Sequence, residues 1–210
     1  MTGESFENFY RDNPDLAFRL KRAGLEEVLR IQEKDYTYAS QYPTAPRNYA
    51  DALENFELML DILGEICARV IAPQAGAADL EGAHFANGEV TYARPTLEAL
   101  AALRQAELMG GMLPWEYGGL NLSETVYSIM VEMISRADAG LMTIFGLQEI
   151  AASINEFAEP ELKERFLPRF ARGEVTGAMV LTEPDAGSDL GSVQTHAAWD
   201  EAAGVWRIQG

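Results

Sequence analysis

The stretch Leu181-Thr182-Glu183-Pro184-Asp185-Ala186-Gly187-Ser188-Asp189 gathers two hydroxyls, one glycine and several main-chain amides at the end of a β-capable run, Thr176 to Leu181. A loop of neutral donors in that position suits an anionic or heteroaromatic ligand, because converging N–H groups bind such a group without a cation. Pro, Asp, Gly and Ser are also what surface turns are made of, so residue types alone leave a plain turn open as the alternative. Glu183, Asp185 and Asp189 read as caps and solvated groups rather than paired catalytic carboxylates, and none is assigned proton-transfer chemistry.

Other chemistries lack their residues. The sequence has no G-x-x-x-x-G-K-S or G-x-x-x-x-G-K-T loop, no G-x-G-x-x-G after a strand and no G-x-S-x-G around Ser188. His84 and His196 stand far apart without a second ligand at metal-binding spacing, so no metal is expected. The eight methionines lie largely in apolar stretches and read as core filler. With 16 Lys plus Arg against 33 Asp plus Glu, the formal charge of −17 repels phosphate backbones and anionic lipid, so neither nucleic acid nor a membrane surface is an expected partner. Cys67 is the only cysteine, which precludes an intrachain disulfide and fits a reducing compartment. No leader-like opening and no run of apolar residues long enough to span a bilayer is found, so a cytoplasmic location is expected.

The elements that must position the loop are helical. At 210 residues, 48% hydrophobic and 23% charged, the chain is a folded protein with room for one domain and part of another. Asn13-Pro14 predicts one or two short helices carrying Leu16, Leu20, Val28, Leu29 and Ile31, with a break at Gly24. Asp35 to Arg47 reads as an ordered linker. From Tyr49, the spacing of Leu53, Phe56, Leu60, Leu63, Cys67, Val70 and Ile71 predicts a long amphipathic helix that Pro73 ends or kinks. Asn87-Gly88 predicts a tight turn with little strand around it. Thr96 is expected to cap a helix bearing Leu97, Leu100, Leu103 and Met109, ending at Gly110-Gly111. Leu113 to Leu120 then turns sharply twice, keeping Trp115 and Tyr117 packed.

Ser123 is the expected cap of the next helix, and a further helix is expected to run through Leu141, Ile144, Phe145, Ile150, Ala151 and Ile154. Pro160 opens a last one, carrying Leu162, Phe166 and Leu167 to a stop at Pro168. The period then changes: Thr176 to Leu181, Val193 to Trp199 and Val205 to Ile208 read as strands, with a turn over Asp200 to Gly204 and the sheet hardly begun at Gly210.

The exact order of residues adds a resemblance. Thr182 to Asp189 closely resembles the T-E-P-x-A-G-S-D flavin signature of acyl-CoA dehydrogenases. Upstream, Ile71-Ala72-Pro73 with Asp79, Leu113-Pro114-Trp115-Glu116-Tyr117-Gly118-Gly119-Leu120, Arg136-Ala137-Asp138-Ala139 and the run from Lys163 to Gly173 are similar to further segments of that family. The likeness covers about Tyr49 to Gly210, and residues before it resemble the longer N-terminal extension of some bacterial members. Met179 stands where many members have an aromatic ring, and Asp185 where glycine is common.

The resemblance implies a mostly α chain: an N-terminal helical bundle domain followed by the first strands of a β-barrel-like middle domain. It divides the sequence into an extension at 1–48, the helical domain at 49–175 and an incomplete middle domain at 176–210. It further implies FAD as cofactor, with Met179, Leu181 and Thr182 beside the isoalloxazine, Gly187 and Ser188 approaching the dinucleotide, and Ser188 also reaching bound CoA. The implied reaction oxidises an acyl-CoA to the 2,3-enoyl-CoA by α-proton abstraction and β-hydride transfer to flavin, with electrons passed to an electron-transfer flavoprotein. The family's catalytic glutamate belongs to a closing helical bundle, so no residue here is assigned as catalytic and the 210-residue chain alone is expected to be inactive. Homo-oligomers are usual in the family. Two alternatives stand beside this reading: a flavin-free helical interaction module of the same fold, and an oxygen-using acyl-CoA oxidase.

Overall fold

In the computed structural model, which describes residues 7–210, Pro14 opens α1 (Pro14–Arg22), its fixed φ matching a first turn that needs no amide donor. The first six residues of the expected extension lie outside the described residues. Gly24 (φ +62) separates α1 from α2 (Glu26–Gln32). The linker that follows is ordered: Lys34, Asp35 and Tyr36 take consecutive left-handed conformations and enter a 3-10 turn, Thr37–Ser40.

Asn48 caps α3 (Tyr49–Ile66) by accepting the Asp51 amide at 3.0 Å, and the predicted stripe is buried at Phe56, Leu60 and Leu63. The helical path runs on through a π turn, Cys67–Ile71, and a 3-10 turn containing Pro73, Ala72–Gln74, into α4 (Ala75–Glu81). Asn87 and Gly88, both with positive φ, join β1 (His84–Ala86) to β2 (Glu89–Thr91).

Thr96 is not a cap. Pro95 occupies the first turn of α5 (Arg94–Gln105), which moves the cap back to Ala93. The left-handed Glu107 takes the chain out of the helix, so Met109 is buried beyond it. Between Leu113 and Asn121 the chain makes its two sharp turns around a short 3-10 segment, Trp115–Tyr117. The Trp115 indole N–H and the Asn121 amide donate to the buried Glu33 carboxylate at 2.9 and 2.8 Å, while Gln32 donates to the Asn121 carbonyl at 2.7 Å. These bonds tie the N-terminal linker to this loop.

Ser123 occupies the cap position of α6 (Glu124–Ala137), but its buried hydroxyl makes no hydrogen bond; its carbonyl takes the Val126 and Tyr127 amides instead. The single helix expected through Leu141 to Ile154 is divided. Asp138 caps α7 (Ala139–Gly146), and a 3-10 turn, Leu147–Glu149, leads to α8 (Ile150–Phe157). Pro168 does not stop α9 (Pro160–Ala171), because the burial of Leu167, Phe170 and Ala171 against Leu113 and Ala151 holds the last turn despite one lost hydrogen bond. The main core gathers apolar faces of α1, α2, α3, α5, α6 and α7, among them Leu16, Leu29, Leu63, Leu103, Met130 and Phe145.

The chain divides into two compact units, Met1–Gly177 and Ala178–Gly210. In the second, β3 (His196–Asp200) and β4 (Val205–Gln209) pair antiparallel with Trp199 opposite Trp206. Residues 176–181 are not a strand: no described strand lies beside them to take their ladder bonds, and β propensity alone does not make a sheet. The architecture is thus mostly α, a helical bundle followed by the first strands of a second domain. Among the described residues no helix is long and apolar enough to cross a membrane.

Candidate functional site

The loop singled out by its donors is shaped by its own acids. Glu183 and Ala186 exchange main-chain hydrogen bonds at 2.9 and 3.2 Å across Pro184-Asp185. The Glu183 carboxylate accepts the amides of Gln194 and Thr195 at 2.8 and 2.9 Å and the Thr195 hydroxyl as well. These bonds, the hydroxyl's foremost, favour the charged carboxylate and hold Glu183 below the usual glutamate range. Asp189 accepts the Gly191 amide at 3.1 Å and the Ser192 hydroxyl at 2.6 Å, starting a 3-10 turn, Leu190–Ser192. Two of the three acids therefore fix the loop, in keeping with their reading as caps.

What the loop leaves unengaged is neutral. The hydroxyls of Thr182 and Ser188 and the amides of Gly187 and Ser188 make no hydrogen bond among the described residues, and all three residues are exposed. A Cβ on Gly187 would meet one atom, the Thr182 Cγ2, at 4.0 Å. The fold thus leaves open a space that a side chain would fill, beside free amides and hydroxyls, where a phosphate oxygen or heterocycle edge can reach the main chain. Met179 and Leu181, two residues apart on the approach to the loop, are 59% and 48% exposed. This set of neutral donors and open space would suit an anionic dinucleotide such as FAD.

The last residues of the helical unit, Val175 to Gly177, are held by a residue that the sequence reading passed over. Gln148, buried in the Leu147–Glu149 turn, donates its Nε2 to the Val175 carbonyl and accepts the Gly177 amide on Oε1, each at 3.3 Å. A Cβ on Gly177 would lie 2.3 Å from the Leu147 carbonyl oxygen. The signal in the sequence was a lone amide inside the apolar run from Leu141 to Ile154.

Each unit has further features of its own. A cleft of about 510 Å³ opens between the linker, α3 and the loops after α5, with Pro43, Pro46, Phe56, Met59, Trp115 and Leu122 among its walls. Glu33 also lines it; burial raises its pKa against the lowering effect of its Asn121 and Trp115 bonds. Cys67 is buried, which pushes its thiol up to about 12. His84 and His196 are exposed, and among the described residues no three His, Cys, Asp or Glu side chains form a metal-binding group.

Known proteins share stretches of this sequence and its fold. Residues 54–174 match the family model described as the acyl-CoA dehydrogenase N-terminal domain. A butyryl-CoA dehydrogenase of Syntrophomonas wolfei subsp. wolfei is 26% identical over an alignment of 211 positions, gaps included, that covers 97% of this chain and 32% of that protein. The mitochondrial 2-methylacyl-CoA dehydrogenase of Solanum tuberosum is 36% identical over 106 residues, 49% of this chain and 25% of its own length. The solved acyl-CoA dehydrogenase complexed with FAD from Bacillus anthracis shares the fold at a TM-score of 0.62 and 23% identity, covering 75% of this chain and 25% of that one. The chain thus spans about a third or less of the length of these relatives.

Proposed function

Because the chain belongs to the acyl-CoA dehydrogenase family and carries its N-terminal domain, we propose that it is the front portion of a FAD-dependent acyl-CoA dehydrogenase that oxidises an acyl-CoA thioester to the 2,3-enoyl-CoA. The observation that carries the flavin reading is the unengaged donor set around Gly187. Bound there, FAD supplies the acceptor for a hydride leaving the acyl β-carbon. The Thr182 hydroxyl would be the donor for the flavin's polar edge, and Met179 and Leu181 would supply apolar side chains to it. The Gly187 amide, with no Cβ in the way, and the Ser188 amide and hydroxyl would hold the pyrophosphate, and Ser188 would also serve bound CoA.

Neutral donors let an anionic cofactor bind despite the chain's charge of −17. No carboxylate of this chain is given the α-proton: Glu183, the one nearest Thr182 in sequence, is ionised but already accepts three hydrogen bonds. The base comes from elsewhere in the complete enzyme. An electron-transfer flavoprotein as acceptor, a cytoplasmic location and a homo-oligomeric assembly complete the proposal.

The test is expression of the complete open reading frame. A yellow protein that forms enoyl-CoA with an artificial electron acceptor is expected, with no turnover from the 210-residue chain alone. Thr182→Ala with Ser188→Ala weakens FAD about 30-fold, the loss of two neutral hydrogen bonds of about 1 kcal/mol each. Peroxide formation without a protein acceptor would make it an oxidase, and a colourless, inactive product would leave only the helical interaction module.

A further inference from the structure

The Gln148 side chain bonds main chain 27 and 29 residues further along, in a pattern with a definite meaning. In a parallel β-bridge one residue donates its N–H to the carbonyl before the opposing residue and accepts the amide after it. Gln148 does this with its side-chain amide: Nε2 to the Val175 carbonyl, Oε1 from the Gly177 amide, with Thr176 as the residue opposed. A primary amide has the donor and acceptor of a peptide unit, so it can stand in for a neighbouring strand. That gives the Val175 carbonyl and the Gly177 amide partners although no described strand pairs with them.

The second half of the grip is steric. The 2.3 Å between a Cβ on Gly177 and the Leu147 carbonyl oxygen allows only glycine at the point of closest approach. One turn between α7 and α8 therefore fixes the main chain on both sides of Thr176, three residues before Met179. A residue needed only for the packing of α7 and α8 would find its partners there; both bonds of Gln148 instead go to the chain that leads into the donor loop.

We infer that Gln148 is a positioning residue for the flavin loop, a side-chain stand-in for a β-strand that fixes the chain from which Met179, Leu181 and Thr182 depart. This rests on the flavin reading above.

The test compares the FAD-bound complete polypeptide with Gln148→Met, which keeps length and apolar volume but removes donor and acceptor, and Gln148→Glu, which keeps the acceptor for the Gly177 amide. Gln148→Met is expected to weaken FAD about tenfold, to alter the visible circular dichroism of the bound flavin, and to speed amide exchange at residues 176–182 while α6 to α9 keep their protection. Gln148→Glu is expected to recover part of each effect, and it carries the test should Gln148→Met not fold.

Unchanged FAD affinity and flavin spectrum in Gln148→Met, beside a wild type that binds FAD, overturns this inference alone. So does a rise in exchange spread evenly over α6 to α9, which marks a packing role. A wild type that binds no FAD removes the flavin reading and this inference together.

Discussion

A Cβ on Gly119, in the helical unit, would sit 2.0 Å from the Leu113 carbonyl oxygen, whereas one on Gly187, in the second unit, would meet a single methyl at 4.0 Å. The first glycine is demanded by the protein's own packing; the second is not. The same contrast runs through both units. Leu60, Leu63, Leu103, Met130 and Ile134 are fully buried in the helical unit, while Trp206 and Ile208 of the hairpin are 63% and 76% exposed. In the second unit the bonds accepted by Glu183, Asp189 and Asp200 supply local order in place of a core. A residue whose type the fold does not require leaves room for a ligand's requirement, and Gly187, Ser188 and Thr182, the residues proposed for the flavin, are of this kind.

Substitutions in the two units put that contrast to the test. The largest effect is expected from Leu63→Ala, which should lower the denaturant-measured stability of the helical unit by about 2–5 kcal/mol; Trp206→Ala should cost under about 1 kcal/mol. Gly119→Ala should follow at about 1–3 kcal/mol through overpacking, against less than about 0.5 kcal/mol for Gly187→Ala. Similar losses for the two glycine variants would erase the distinction between the units.

A smaller contrast lies in two glutamates of opposite behaviour. Glu183 is held below its ordinary pKa by the hydrogen bonds it accepts, so its contribution is present above the unfolded value of about 4.3 and is lost as pH falls through the lower folded value. Glu33 is raised by burial, so its contribution is present below the unfolded value and is lost as pH rises through the folded one. The protection of the Gln194 and Thr195 amides, taken relative to intrinsic exchange at each pH, should therefore fall on acidification, and Glu183→Gln should remove that dependence. Glu33→Gln should flatten the opposite trend in the helical unit's unfolding free energy, by the smallest amount of this series. Equal slopes in wild type and variant would contradict either assignment.

Much of the helical unit was legible in the sequence because its apolar residues recur at helical spacing and bury as that spacing demands, as at Phe56, Leu60 and Leu63 in α3. The misreadings fell where packing outweighs local preference. Pro168 is carried inside α9 by the burial of Leu167 and Phe170, and the Ser123 hydroxyl is buried rather than used as a cap. Pro95 set the start of α5, a local signal that Thr96 masked. The strand expected over 176–181 had the composition but not the neighbour. In the donor loop the residue types and their order were plain, whereas the anchoring of Glu183 by Thr195, 12 residues on, and of Gly177 by Gln148, 29 residues away, joins positions that no local pattern links.

The most direct measurement is titration of the complete polypeptide with FAD, wild type against Gly187→Ala, with thermal unfolding of both followed alongside. Unchanged unfolding with FAD bound about tenfold more weakly by the variant is the expected result. Equal affinity in the two proteins, or a wild type that binds no FAD, contradicts a flavin cradle at Gly187.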